Sequence, residues 1–360
     1  MAAANLSSLA IVTSPLQLLC AIEYFMVSDC LRKAKFIFKV GLGTRAHSQM
    51  ELLLNDFGLR CDVLVSLREM GSLPEKIESY ARVIRSLQEC SYQYVLLGDV
   101  RQQWMQDLVC NLSSEQVIMI DDGAAVLSVH KHVLSKNGCV LPFNLFPKST
   151  EVRKKEVLSI KHRLGLVSKQ VELGIFSMFN IASPHYFRRH RFENVREMFN
   201  GKSVLSSQGE WHFIGMHLVE EKLMSEDEYW GYLSNVVNRM PSKSKMVYIP
   251  HRFENLDEKR KKLTDLSVEI RELDYPYEIN LLHSSILPDA VIGFYTTCLF
   301  SVSALYSDNI EIFYIRIKDE TMDTYKAMTR MHQQFSFYEH VVTIYDLLET
   351  MDVKQIFTVN

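Results

Sequence analysis

The sequence predicts an α/β protein made of two Rossmann-like domains that face each other across a cleft. Apolar strands alternate with helices through the first 120 residues, and the alternation resumes from residue 210 to residue 317. Such alternation is typical of parallel sheets covered by helices on both faces. The chain's 360 residues also exceed what one hydrophobic core holds, since single cores stop growing at roughly 250–300 residues.

In the first half, five short apolar runs predict strands at 8–14, 34–42, 61–67, 92–99 and 115–121. The segments between them predict helices at 15–28, 44–58, 73–90 and 101–112. A basic, irregular region then extends from about residue 140 to residue 200. We therefore predict an N-terminal domain over 1–200 and a C-terminal domain over 201–360.

The second half repeats the pattern, with strands predicted at 210–216, 245–251, 267–273, 289–295 and 310–317. Its predicted helices cover 225–240, 254–263, 277–285 and 296–306. Ser225 and Glu228 have the spacing of a capping box at the start of the first of these helices.

Composition narrows the class of protein. The net charge of −3 gives no basic excess, so nucleic-acid binding is not expected. Seven cysteines without metal-binding spacing indicate a reducing compartment and argue against disulfides and zinc. The N-terminus lacks the basic start of a secretory signal, and no run of about 20 apolar residues predicts a membrane span. A cytoplasmic protein is expected.

We expect the functional residues directly after the strands, because open α/β sheets bind ligands beyond the carboxyl ends of their strands. The first strand leads into Ser14 and Gln17, and the fifth leads into Asp121, Asp122 and Gly123. Adjacent carboxylates before a glycine fit either a solvated turn or a pair of site residues.

In the second half, each candidate site residue likewise has two interpretations. His251 follows a strand and is either a loop residue or a group for proton transfer near neutral pH. Thr296 and Thr297 open a helix, where they either cap it or hold an anion. Glu278 opens another helix and either compensates its dipole or binds ribose hydroxyls. The chain has no Gly-rich P-loop or GxGxxG motif, which argues against ATP and NAD.

Between residues 11 and 301 the chain contains, in order, VTSPLQLLCAIE, IDDG, FIGMHLVE, YIPHRFE, YPYE and IGFYTTCLFS. This ordered set resembles the bacterial sialyltransferases, namely the lipooligosaccharide sialyltransferases of glycosyltransferase family 52 and the related polysialyltransferases. The resemblance implies the GT-B fold. The chain departs from the pattern at Arg252, where polysialyltransferases have proline, and at Thr296 and Thr297, where two serines are usual.

The resemblance implies an inverting transfer of sialic acid, or a related nonulosonic acid, from its CMP-activated donor to a hydroxyl of a surface glycan, such as a lipooligosaccharide or a capsular galactoside. Asp122 would take the acceptor proton, supported by Asp121 and Gly123. The charge of Asp121 is expected to raise the pKa of Asp122. His251 would donate a proton or a hydrogen bond to the leaving phosphate.

The resemblance assigns the CMP donor to the C-terminal domain, with contacts from Gly215, Arg252, Glu278, Thr296, Thr297 and Ser301. Ser14 and Gln17 are expected beside the donor sugar or the acceptor. No Asp-x-Asp metal motif occurs, so neither a metal nor another cofactor is expected.

Acceptors of this kind are lipid-linked, which implies visits to the cytoplasmic face of the inner membrane. The clusters Arg153–Lys155 and Arg188–Arg191 would then contact anionic lipid, or else form an ordinary solvated surface. The sequence leaves open a homodimer.

Two other classes of function stay open. One is a GT-B transferase or epimerase that uses a different CMP-, UDP- or GDP-sugar, and the other is an inactive glycan-binding GT-B scaffold. The particular nonulosonic acid, the linkage and the acceptor are not fixed by the sequence.

Overall fold

Contacts in the computed structural model divide the chain into Met1–His190 and Arg191–Asn360, called unit 1 and unit 2 below. The structure describes residues 6–65, 71–135, 138–142, 151–167, 169–181, 186–199, 205–207, 209–329, 337–350 and 353–357. The predicted boundary at 200/201 lies outside these ranges. All seven cysteines are thiols.

Unit 1 is built on one sheet. Its strands are β1 (Ser7–Val12), β2 (Ala34–Phe38), β3 (Val63–Leu64), β4 (Ser91–Leu97), β5 (Ser113–Ile120), β6 (Val140–Leu141), β7 (Val171–Ser177) and β8 (Phe187–Arg189). They lie in the order β3-β2-β1-β4-β5-β7-β6, with β8 also paired to β7. Every pairing is parallel except that of β6 with β7. The order reverses between β1 and β4, which makes that position the topological switch point of the sheet.

Helices connect these strands. They are α1 (Pro15–Val27), α2 (Arg45–Asp56), α3 (Leu73–Leu87), α4 (Gln103–Val109), α5 (Ala125–Val129) and α6 (Glu151–Arg163). Helix α1 begins directly after β1, because the Ser14 hydroxyl accepts a hydrogen bond from the Gln17 amide and Pro15 fits the first turn. From Leu9 to Val12, β1 is fully buried, as expected for a central parallel strand.

Unit 2 contains a second sheet of the same kind. Its strands are β9 (Leu205–Ser206), β10 (Glu210–Ile214), β11 (Lys245–Ile249), β12 (Glu269–Ile270), β13 (Ile286–Leu287), β14 (Ala290–Gly293), β15 (Glu311–Ile315) and β16 (Lys354–Phe357). The main sheet is parallel throughout, in the order β12-β11-β10-β14-β15-β16, while β9 pairs with β13. Its switch point lies between β10 and β14.

The helices of unit 2 are α7 (Glu193–Phe199), α8 (Glu226–Arg239), α9 (Leu256–Asp265), α10 (Tyr277–His283), α11 (Thr297–Tyr306), α12 (Asp319–Thr329) and α13 (Phe337–Thr350). Ser225 caps α8 by accepting from the Glu228 amide, which is one half of the predicted capping box, while the Glu228 side chain accepts from the Thr321 hydroxyl. Within the described ranges, no helix combines the length and apolar character needed to cross a membrane.

The predicted strand–helix alternation is confirmed in both units, although two predicted strands are much shorter. The strand predicted at 61–67 is limited to Val63–Leu64, with residues 66 and 67 outside the described ranges, and the one at 267–273 is limited to Glu269–Ile270. Both lie at the edge of a sheet, where a strand pairs on one side only. The sequence analysis did not assign β7, which adds to the parallel run of unit 1.

Candidate functional site

In each unit, polar side chains lie beyond the carboxyl ends of the strands that flank the switch point. In unit 1 these residues follow β1, β4 and the neighbouring β5. In unit 2 they follow β10, β14 and the neighbouring β11.

In unit 1, Asp122 is held by two side chains from other strand ends. Gln17 Nε2 donates to Asp122 Oδ1 at 2.6 Å, and Arg101 Nη2 donates to Asp122 Oδ2 at 2.5 Å. Gly123 turns the chain just beyond, at a φ of 59° that favours glycine. The Asp122 side chain is 25% exposed, so the carboxylate that the protein orients is partly accessible.

Arg101 connects Asp122 to a second carboxylate. Its Nε donates to Asp99 Oδ1 at 2.7 Å, and its side chain is 38% exposed. Burial raises the pKa of Asp122, the Asp99 charge raises it further, and Arg101 and Gln17 lower it. The negative charge that raises the pKa of Asp122 is therefore the charge of Asp99. The prediction that Asp121 supplies this charge is wrong. Asp99 and Arg101 were both missed, although Asp99 ends a predicted strand and Arg101 begins the predicted helix that follows it.

Asp121 faces the protein interior and is fully buried. Its Oδ1 accepts from the Ser177 hydroxyl at 2.5 Å, and its Oδ2 accepts from the Met178 amide at 2.7 Å and lies 3.3 Å from His190 Nε2. These bonds fasten the end of β5 to the end of β7. Of the two adjacent aspartates, only Asp122 has a side chain that a substrate can reach.

Gln17 is also fully buried, which does not fit the direct substrate contact predicted for it. Its Oε1 accepts from the Thr13 amide at 2.6 Å while its Nε2 holds Asp122. A Cβ on Gly98 would lie 2.0 Å from Gln17 Oε1, so the glycine makes room for this side chain. Gln17 therefore positions Asp122. Ser14 caps α1 and is partly exposed.

Among the described residues, one cluster has the composition of a metal site. Ligand atoms of Cys20, Asp121 and His190 lie within 4.8 Å of one another, and all three residues are buried. Both oxygens of Asp121 already accept hydrogen bonds from protein groups, as given above. The cluster is thus explained as a buried hydrogen-bond network. His190 is therefore not part of the basic surface predicted at Arg188–Arg191, because it is buried and its ring stacks on Phe176.

In unit 2, the loop after β11 is held by Glu254, whose side chain is fully buried. Glu254 Oε2 accepts from the His251 amide at 2.6 Å, and Oε1 accepts from the Tyr248 hydroxyl and Lys259 Nζ, each at 2.5 Å. The backbone of His251 is therefore fixed. Glu254 lies in the quoted YIPHRFE stretch, yet the sequence analysis gave it no role.

The His251 side chain is uncharged at neutral pH. Burial, the nearby His217 and Arg252 lower its pKa to about 4. The Phe253 amide lies 3.4 Å from His251 Nδ1, which favours the tautomer that carries its proton on Nε2. In this state His251 offers a phosphate a neutral N–H donor, whereas the sequence analysis also considered donation of a proton.

His217 is a residue that sequence reasoning missed, although it lies in the quoted FIGMHLVE stretch. Its ring stacks on that of His251 with centroids 4.3 Å apart and an angle of 13° between the planes. The Phe253 ring is 58% exposed and lies 5.5 Å from His217 and 5.4 Å from His251. Arg252 is exposed above Phe253 and contacts no carboxylate within the described residues of this loop.

Gly215, predicted near the nucleotide, has a packing role. A Cβ at this position would lie 2.2 Å from Glu254 Oε2 and 2.6 Å from the Tyr248 hydroxyl. The glycine after β10 therefore makes room for the group that fixes the His251 loop. Its amide donates to the Ile249 carbonyl at 2.8 Å.

The start of α11 lies beyond β14, and Thr296 caps it. The Thr296 hydroxyl accepts from the Cys298 amide at 3.3 Å, and both Thr296 and Thr297 are partly exposed. A helix N-terminus attracts anions because its amides and dipole present positive charge. Thr296 can therefore cap the helix while an anion binds at the same end.

Glu278 lies in the first turn of α10, and burial raises its pKa. The Ser301 hydroxyl donates to Glu278 Oε1 at 2.5 Å. Ser301 itself is fully buried, so it orients Glu278 and does not offer the direct donor contact predicted for it. The neighbouring Tyr277 is anchored to β10 through His212, with 2.7 Å between its hydroxyl and Nδ1.

Neither a protein-family model nor a curated protein sequence matches this chain. Solved structures do. A 2,6-sialyltransferase from Photobacterium sp. JT-ISH-224, solved with CMP and lactose, matches 97% of this chain and 78% of its own, with a TM-score of 0.50 and 12% identity. A protein described as a UDP-N-acetylglucosamine 2-epimerase from Listeria monocytogenes matches 96% and 88%, with a TM-score of 0.51 and 10% identity. The chain therefore has the GT-B fold of two Rossmann-like units, as predicted.

Proposed function

We propose that this protein is an inverting glycosyltransferase that moves a sialic acid, or a related nonulosonic acid, from its CMP-activated form to a hydroxyl of a glycan. The observation that carries the proposal is Asp122, an accessible carboxylate with a raised pKa at the switch-point end of a Rossmann-like sheet. The fold, the helix N-terminus at Thr296 and the His251 loop support it.

Asp122 would activate the acceptor. A sugar hydroxyl is a weak nucleophile, and a carboxylate that takes its proton during attack contributes typically about 10²–10⁴-fold to the rate. A raised pKa makes Asp122 a better proton acceptor than an ordinary aspartate, while Gln17 and Arg101 keep its oxygens in place. The buried Asp121 would contribute only by fixing the end of β5.

The groups of unit 2 would bind CMP and stabilise it as it leaves. Negative charge grows on the phosphate when its bond to the sugar breaks. The α11 N-terminus with Thr296 and Thr297 would hold the phosphate, His251 would donate to it through Nε2, and Glu278 would accept from the ribose. These donors would stabilise the charge of the leaving group. We therefore propose that the reaction runs without a divalent metal.

We further propose a lipid-linked acceptor, reached from the cytoplasmic face of a membrane. Exposed cations of unit 1 support it, since Arg153 and Lys155 lie on α6 and Arg188 and Arg189 lie on β8. Each cation near an anionic surface contributes about 1 kcal/mol to binding. Vesicle binding tests this part. The protein should bind vesicles that contain anionic lipid and should not bind neutral vesicles.

Nucleotide binding tests the donor class. Calorimetry should show CMP binding more tightly than UDP, GDP or ADP, with EDTA present. Thr296→Val should weaken CMP binding by about tenfold, because one hydrogen bond to a charged group is lost. Thr264→Val, on the exposed face of α9, should not. Equal affinity for UDP and CMP would contradict the CMP assignment and favour another sugar nucleotide.

A further inference from the structure

The rings of His217 and His251 form a stacked pair at the carboxyl edge of the unit 2 sheet. One follows β10 and the other follows β11, and their centroids are 4.3 Å apart in a nearly parallel stack. Two positive charges at this separation repel each other strongly when they are partly buried. The stack therefore disfavours the state in which both rings are protonated.

The charged groups around the stack still leave the state with two protonated rings disfavoured. Arg252 and Lys259 are positive and lower the pKa of His251, whereas Glu220 raises it. Glu220 is itself engaged by Lys259 at 2.9 Å, and Glu254 accepts from Lys259 and from the His251 amide. On the other ring, His217 Nε2 lies 3.3 Å from Glu221 Oε1, which is well exposed.

The two rings also differ in their free nitrogen atoms. The Phe253 amide approaches His251 Nδ1, which leaves Nε2 as the atom that carries the proton. His217 Nε2 faces Glu221, and its Nδ1 is buried with no hydrogen-bond partner in the described part of the chain. Protonation of one ring would give the stack a positive charge, which an anion bound beside it would stabilise.

We propose that His217 is a positioning residue for His251: its stacked ring orients His251 and limits the pair to one proton, which the pair takes up when a phosphate binds beside it. The proposal rests on the proposed function for the identity of the phosphate group, that of CMP. It assigns to His217 a role that acts through His251.

The test is an NMR titration of the histidine rings between pH 3.5 and 8, made on the intact protein. In the free wild-type protein, the His251 ring should titrate well below an ordinary histidine. In His217→Phe, which keeps an aromatic ring in the stack and removes its charge, the His251 midpoint should move to higher pH. His162→Phe, at an exposed position on α6 in unit 1, should leave it unmoved.

Adding CMP to the wild-type protein should raise the His251 midpoint, and cytidine, which lacks the phosphate, should not. In His217→Phe the CMP-induced rise should be smaller. His217→Asn provides a second variant if the phenylalanine disturbs folding. A His251 midpoint that is unchanged in both variants overturns the proposal. Failure of CMP to bind contradicts the proposed donor, whereas the titration of the free protein still decides the coupling.

Discussion

At the scale of single residues, the structure distinguishes two aspartates that are equivalent in the sequence. Asp121 directs both oxygens to the end of β7, while Asp122 keeps a quarter of its side chain exposed. Both residues lie just beyond β5, and they differ in their contacts: Asp121 binds groups at the end of β7, whereas Asp122 binds side chains that follow β1 and β4. The accessible one is held by Gln17 and Arg101, so its orientation is set before a substrate arrives.

Arg101 should control the protonation of Asp122. In Arg101→Gln the carboxylates of Asp99 and Asp122 lose the cation between them, so the pKa of Asp122 should rise. Because a base works only when it is deprotonated, the acid limb of the profile of kcat/KM against pH should move to higher pH. The loss of activity should therefore be larger at pH 5.5 than at pH 8.

Arg82→Gln is the matched control for this change, since Arg82 is an exposed arginine of α3 in the same unit. Its profile should overlay that of the wild type. An Arg101→Gln profile lowered equally at every pH would show that Arg101 acts on something other than the charge of Asp122.

At the scale of elements, glycines after strands make room for the side chains that fix the functional loops. Gly98 after β4 leaves space for Gln17, and Gly215 after β10 leaves space for Glu254 and Tyr248. In both cases the side chain that fills the space is buried and fixes another residue. These glycines serve packing within each unit.

Gly215→Ala should therefore destabilise the protein by about 1–3 kcal/mol, the usual cost of an extra methyl group in a packed interior. The added Cβ would also displace Glu254, so CMP binding should weaken. Gly231→Ala is the control, because a Cβ in this exposed turn of α8 meets nothing within 4 Å. It should instead stabilise by about 0.5–1 kcal/mol.

Chemical denaturation followed by circular dichroism measures both changes. An unfolding free energy for Gly215→Ala equal to that of the wild type would show that Glu254 relocates without cost. The account of the loop would then be wrong.

The same elements show what the sequence could and could not predict. Strand–helix alternation predicted the strands around each switch point, and the predicted site residues Asp122, His251 and Thr296 follow three of these strands. It could not identify Arg101, Glu254 or His217, because their roles depend on contacts between loops that follow different strands. Buried Gln17 and Ser301 were also assigned to the substrate, because Gln17 lies near a strand end and Ser301 lies one turn beyond Thr297. Burial of a polar side chain is invisible in a local pattern.

For the whole molecule, the main sheets of the two units share the order of their first five strands, and each has a switch point between its first and fourth strands in chain order. The chemistry at these two points differs. Unit 1 presents a carboxylate held by an arginine and a glutamine, and unit 2 presents a histidine loop and a helix N-terminus. Under the proposed function, unit 1 serves the acceptor and unit 2 serves the nucleotide.

This division predicts where CMP acts. In hydrogen-exchange mass spectrometry, CMP should slow exchange after β10, in the His251 loop and at the start of α11. The peptide that contains Asp122 should change little with CMP alone. Protection confined to unit 1 would reverse the assignment of the nucleotide.

The most direct measurement is turnover. The protein would be incubated with CMP-sialic acid and a panel of galactosides and sialosides in EDTA, and CMP release and product mass would be followed. Wild type should form a sialylated product. Asp122→Asn should lose about 10²-fold or more of the rate, whereas Asp265→Asn, at the exposed end of α9, should keep it. Full activity in Asp122→Asn, or no CMP release by the wild type with any acceptor, would contradict the account.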